Sequence, residues 1–132
     1  MMRRQFNLPE QDVEYLESSG NSWESIIFAG NWVLIHNYPV PAGYNTNEVS
    51  IALRIDAGYP TSQIDMVYFN PHLGRIDGKP IGALAIQQID GKQWQRWSRH
   101  RTPANNWRPE VDCIATHMAL IDYWLLREFQ IR

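Results

Sequence analysis

The clearest pattern in the chain runs from Glu48 to Ile55, where polar and apolar residues alternate and Val49, Ile51, Leu53 and Ile55 share one side. A period of two predicts a strand with one face on a core. Trp32 to His36 is β-branched and aromatic and predicts the strand before it. Trp23 to Ala29 is mixed in pattern and predicts a partner strand, joined through a tight turn at Gly30-Asn31. Pro39, Pro41 and Gly43 then break the pattern, and Gly58-Tyr59-Pro60 ends the strand at Glu48 to Ile55. A fourth strand is predicted over Asp65 to Phe69, closed by Asn70-Pro71.

Helical spacing appears at both ends. Residues 9–18 predict a short helix: Pro9 suits a first helical position, acids follow in the first turn, and Gly20 stops it. Its apolar face is thin, only Leu8, Val13 and Leu16. Near the C-terminus Val111, Ile114, Met118, Ile121, Leu125 and Phe129 recur every three or four residues and predict a long amphipathic helix. Asp112 is placed to cap it, or Pro109 to be its first residue. Between His72 and Arg108 the pattern predicts a long irregular middle. Turns are expected near Ile76 to Pro80 and Asp90 to Lys92, with a short strand or an irregular crossing over Ile81 to Ile89. The order predicts an α+β fold in a single domain over residues 1–132: a four-stranded antiparallel meander sheet with helices packed on one face.

Composition narrows the function classes. The 132 residues are 44% apolar and 20% charged, the balance of a globular protein that needs no staple. A net charge of −2 argues against generic nucleic-acid binding. No apolar run is long enough to span a bilayer. The opening residues put no apolar core behind Arg3 and Arg4, which predicts no signal peptide and a cytoplasmic protein. One cysteine, Cys113, forbids an internal disulfide. Arginines outnumber lysines ten to two, and Arg96, Arg99, Arg101 and Arg108 share one stretch with Trp94, Trp97, His100 and Trp107. Arg and Trp are residues that anchor interfaces.

Several motifs carry a resemblance. Ile51-Ala52-Leu53-Arg54-Ile55 leads into Gly58-Tyr59-Pro60, Met66-Val67-Tyr68-Phe69 into Asn70-Pro71-His72, and Trp107-Arg108-Pro109 precedes the last helix. With the run Trp94-Gln95-Arg96-Trp97-Ser98-Arg99-His100, these make residues 8 to 129 resemble prokaryotic family E of the ubiquitin-conjugating superfamily. The resemblance implies a ubiquitin-conjugating-like fold. It also implies a transferase that accepts a ubiquitin-like protein from an activating (E1-like) enzyme as a thioester and passes it to an amine of a target protein. The implied setting is a bacterial conjugation system, in antiviral defence. By fold analogy, the first helix and nearby arginines are the expected contact for the activating enzyme. The chain departs from the superfamily's pattern in two places. Histidine and asparagine are exchanged in Asn70-Pro71-His72, and Gly82 stands near the position where the catalytic cysteine belongs. A second role therefore stands beside the first, an inactive adaptor that binds the ubiquitin-like protein or the activating enzyme.

A thioester carrier needs a thiolate, donors for the oxyanion and a group that steers the amine. Only Cys113 supplies a thiolate, and a helix N-terminus favours that charge. A small buried apolar role for Cys113 remains open. His117 lies four residues on, across one helical turn. His100, flanked by Arg99 and Arg101, is a candidate base, or a structural imidazole. Asn70 and His72 are candidates to orient the loop or the oxyanion. Trp107, Arg108 and Asp112 are supporting candidates, Arg108 through its charge and Asp112 through a cap or through an attacking amine. No metal site or cofactor is expected, because His36, His72, His100, His117 and Cys113 lack ligand spacing and there is no phosphate-binding Gly-rich loop.

Overall fold

The computed structural model describes residues 2–131. Helix α1 (Glu10–Ser18) is followed by strands β1 (Trp23–Ile27), β2 (Asn31–Pro39), β3 (Glu48–Ile55), β4 (Val67–Asn70), β5 (Leu84–Ile89) and β6 (Lys92–Trp97). A short 3-10 turn at Pro103–Asn105 precedes the long helix α2 (Ile114–Ile131). The strands form one antiparallel sheet in the order β1-β2-β3-β4-β6-β5.

The main core lies between the sheet and the two helices. Val33, Ile35, Val49, Ile51, Leu53, Ile55, Val67, Phe69 and Trp97 meet Leu16 of α1 and Ile114, Met118, Ile121 and Leu125 of α2. The period of two in β3 thus meets the period of three to four in α2 across one apolar layer. Apolar burial of this kind contributes roughly 25 cal/mol for each Å² removed from water.

The sheet has six strands rather than the four expected. The irregular middle contains the β5–β6 hairpin, whose turn falls at Asp90-Gly91. Strand β5 falls within the short strand weighed over Ile81 to Ile89, whereas Gln95 hides β6 from a pattern reading. It sits on the core side, where the alternation calls for an apolar residue, and it is buried. Its amide is satisfied there: Oε1 accepts from the Leu73 N–H (3.0 Å) and the Trp97 indole (2.9 Å), and Nε2 donates to the Leu73 carbonyl (3.0 Å). A buried polar group persists only when paired in this way.

The second face carries its own apolar cluster of Ile26, Trp32, Leu34, Ala52, Tyr68, Ile89 and Trp94. Arg3 shows how it is closed. The Arg3 and Gln5 backbones bond Ser25 of β1 (3.0 and 2.7 Å), so the N-terminal segment lines that edge. The Arg3 side chain donates from Nε to Glu24 of β1 (2.8 Å) and through both terminal nitrogens to Asp90 in the β5–β6 turn (3.1 and 2.6 Å). One guanidinium therefore joins the two ends of the strand order, so the sheet curls over its second face.

Helix α2 starts at Ile114, later than either start expected from the sequence. Its buried Ile114 N–H donates to Oδ1 of Asp12, a residue of α1 (3.1 Å). Asp112 instead closes the turn before the helix, accepting from the Arg108 N–H (2.7 Å).

Candidate functional site

Cys113 is half-buried immediately before α2. Its backbone N–H donates to Thr116 Oγ1 (3.0 Å), and its carbonyl accepts from the His117 N–H (3.0 Å). The thiol lies close enough to Tyr15 and Tyr59 to add to the upward push that burial gives both phenols. Beside it Asp12 is almost fully buried and accepts from Tyr59 Oη (2.7 Å) as well as from Ile114. Burial pushes the Asp12 carboxyl up, against those two hydrogen bonds. Burial opposes the charge of Asp112 too, but the hydrogen bonds from Arg108 and Thr116 and the field of Arg101 hold its carboxyl below the usual range. Two carboxyl groups therefore stand at the head of α2, where the helix dipole favours negative charge.

His117 is fully buried with its ring edge-on to Trp124 (5.6 Å between centroids). Nε2 bonds the Met66 carbonyl (2.9 Å), which makes Nε2 the protonated nitrogen. Nδ1 is buried without a hydrogen-bond partner. Burial pushes the imidazole down to about 4, so it is neutral at physiological pH. Trp107 donates from its indole to the Pro60 carbonyl (2.8 Å) and carries the Arg101 guanidinium 5.0 Å above its ring. Arg108 is exposed.

His100 is exposed and pairs through Nδ1 with Asp65 (2.9 Å). It lines a cavity of about 470 Å³ with Arg99, Arg101, Leu120, Trp124 and Arg127. Cys113 lines neither this cavity nor the shallower one beside Trp107. Among the described residues, no hydrogen bond joins His100 or the His117 ring to the Cys113 sulfur.

Asn70 and His72 sit elsewhere. Met66, which holds His117, precedes β4, and Asn70 closes it, about 13 Å further along at the rise of an extended chain. Asn70 Nδ2 donates to the Gln93 carbonyl (2.9 Å), and the exposed His72 offers its carbonyl to Asn45 (3.2 Å). The sequence-predicted residues therefore form two groups at opposite ends of β4. Cys113, His117, Asp112, Trp107 and Arg108 gather at one end, Asn70 and His72 at the other.

At the Asn70 end is a set of side chains that the sequence reading passed over. Ser50 of β3 lies directly opposite Asn70 of β4 in the register. Its Oγ is 2.8 Å from His36 Nδ1 on β2, and His36 Nε2 is 2.8 Å from Glu24 Oε2 on β1. Burial works against the Glu24 charge, but hydrogen bonds from Arg3 and His36 outweigh it and hold the carboxyl down to about 2. The only signal in sequence was that all three are polar positions within strands.

Among the described residues no helix is long and apolar enough to cross a membrane, and no group of three His, Cys, Asp or Glu side chains is placed to hold a metal ion. The family model described as Prokaryotic E2 family E matches residues 8–128. No curated protein and no solved structure matches the chain.

Proposed function

The chain belongs to the prokaryotic E2 family E, and from that premise we propose that it is a conjugating transferase. In this reading it accepts a ubiquitin-like protein from an E1-like enzyme as a thioester on Cys113 and passes it to an amine of a target protein. The pathway is a prokaryotic conjugation system with a role in antiviral defence. The observation that carries the reading is the position of the only thiol, half-exposed at the head of α2 and four residues beyond Pro109 of Trp107-Arg108-Pro109. A helix N-terminus favours a thiolate.

A second reading, an adaptor that binds the same partners without forming an adduct, is favoured by one feature. The imidazole nearest in sequence, His117, is buried and bonded to Met66, so it is turned to structural use. One experiment separates the two. The chain is incubated with ATP, an E1-like enzyme and a ubiquitin-like protein with a free C-terminus, then run on gels with and without reductant. A reducible adduct that disappears in Cys113→Ala and resists reduction in Cys113→Ser supports the transferase. Binding without an adduct leaves the adaptor. An adduct that persists in Cys113→Ala overturns the assignment of the residue.

A further inference from the structure

The Ser50, His36 and Glu24 side chains form a relay whose direction, with the imidazole neutral, is set by Glu24. Glu24 is ionised and accepts only, so the His36 nitrogen facing it, Nε2, carries the hydrogen. In the neutral imidazole Nδ1 is then the acceptor, and the contact at 2.8 Å is Ser50 Oγ–H donating to Nδ1. A hydroxyl bonded to an imidazole acceptor, with the imidazole oriented by a carboxylate, is the arrangement that activates a serine nucleophile.

Local backbone geometry serves the same contact. Ile35 pairs with Ile51 and Tyr38 with Val49, so His36 and Asn37 together oppose the single residue Ser50. This is a β-bulge, and Asn37 takes a left-handed φ of 55° within it. Bulges re-aim a side chain, and asparagine tolerates that backbone better than most residues. The bulge is held by Asn21, whose Nδ2 donates to the carbonyls of His36 (2.9 Å) and Asn37 (3.0 Å). Further along the relay Arg3 bonds Glu24 and is itself anchored by Asp90. Five side chains, Arg3, Asn21, Glu24, Ser50 and Asp90, drawn from the N-terminal segment, the α1–β1 connection, β1, β3 and the β5–β6 turn, thus fix one imidazole.

The remaining parts of an acyl-transfer site lie alongside. Asn70 is directly across from Ser50 on the same face, and among the described residues only one of its two amide hydrogens is used, on the Gln93 carbonyl. The other is a donor for an oxyanion forming beside Ser50. Ser50, His36 and Asn70 are half-buried rather than sealed, and the His36 side chain keeps 23% of its surface exposed. Glu24, on the neighbouring strand β1, is buried.

We propose that Ser50 is the nucleophile of an acyl-transfer centre that cleaves activated esters and thioesters, with His36 as general base and Asn70 as oxyanion donor. Ser50 Oγ attacks the acyl carbon while its proton passes to His36 Nδ1. The bond from carbon to the leaving oxygen or sulfur breaks, and the leaving alcohol or thiol takes that proton from His36. Water then attacks the acyl-serine ester by the same route, His36 taking its proton, and the carboxylic acid departs as Ser50 regains its hydrogen. Glu24 is a positioning residue: it holds the imidazole in the tautomer with Nδ1 free. The centre lies at the far end of β4 from Cys113 and stands independently of the thioester reading.

A fluorophosphonate probe, which phosphonylates activated serines with loss of fluoride, tests this on the full chain. The expected result is a single adduct on the peptide holding Ser50, absent in Ser50→Ala and retained in Cys113→Ala. His36→Gln is expected to slow labelling by about 100-fold or more. Each variant is checked for unchanged far-UV circular dichroism. Turnover of p-nitrophenyl acetate is expected to fall in Ser50→Ala and His36→Gln and to persist in Cys113→Ala. For Glu24, the imidazole nitrogen shifts of His36 are read by NMR: wild type shows Nε2 protonated, and Glu24→Gln loses that preference. No labelling of folded wild type, or labelling that survives in Ser50→Ala, overturns the assignment. A neutral His36 protonated at Nδ1 overturns the relay.

Discussion

Acidification is expected to weaken this fold through His117 before ordinary carboxylates titrate. The ring is fully buried, Nε2 donates to the Met66 carbonyl, and Nδ1 has no partner, so a second proton would create a buried cation with an unpaired donor. Burial holds its pKa down to about 4, against an ordinary value of 6.5. The unfolded imidazole binds a proton as pH falls through about 6.5, while the folded one waits until about 4. Between those values the unfolded state holds more protons, so stability falls as pH falls. The full difference is roughly 3 kcal/mol, and about 2 kcal/mol of it is already lost at about pH 5. Glu24, Asp56, Asp77, Asp90 and Asp112 have lowered pKa values and withdraw their stabilisation only below the usual carboxylate range. Asp12 is raised and acts in the opposite sense. The assay is urea unfolding followed by tryptophan fluorescence at about pH 7 and 5 and constant ionic strength, on wild type and His117→Gln. The glutamine keeps a donor for Met66, and the difference between the two proteins cancels the other titrating groups. The variant is expected to lack the wild-type drop of about 2 kcal/mol. Equal pH slopes in the two proteins would refute the reasoning and return His117 to the candidates for a working base.

Two further substitutions probe contacts that span the chain. Asp12→Ala removes the acceptor of both Tyr59 Oη and the Ile114 N–H, and a loss of about 2–3 kcal/mol is expected in urea unfolding. Asp12→Asn, which keeps one acceptor oxygen, is expected to lose less; an Asp12→Ala change within about 0.5 kcal/mol of wild type would contradict the capping role. Arg3→Ala removes the clasp between Glu24 and Asp90. The clasp is partly exposed and is worth about 1 kcal/mol, so amides around the β5–β6 turn are expected to exchange about fivefold faster, with an effect that shrinks in high salt. Unchanged exchange there would mean that the apolar cluster alone holds the hairpin down.

The strands whose faces divide cleanly between core and surface were legible. The expected strand over Glu48 to Ile55 is β3 to the residue, and the expected first helix is α1 within one residue at its start. Of the β5–β6 hairpin, the strand weighed over Ile81 to Ile89 holds β5 and the turn near Asp90 to Lys92 is present. Strand β6 was not legible, because Gln95 takes a buried position that only hydrogen bonds to Leu73 and Trp97 make tolerable. For the candidate site the sequence named residues but not neighbours. Cys113 and His117 share a helical turn as their spacing implied, yet the His117 ring is committed to Met66, 51 residues away. Asn70, named for its place in a motif, stands across from Ser50, which no motif singled out.

By itself the sequence determined the class of fold, the apolar faces of β3 and α2, and the family, because periodicity and short motifs are local properties of the chain. Tertiary structure alone decided which polar groups meet. The pairing of His36 with Ser50 depends on a bulge in the register of β2 on β3, and the capping of α2 by Asp12 joins residues 102 apart. The clasp of Arg3 on Asp90 exists only because the sheet curls. Hydrogen bonds need atoms within about 3 Å of one another. Register, bulges and curl set those distances, and all three are settled by packing between elements rather than by the residues along any one of them.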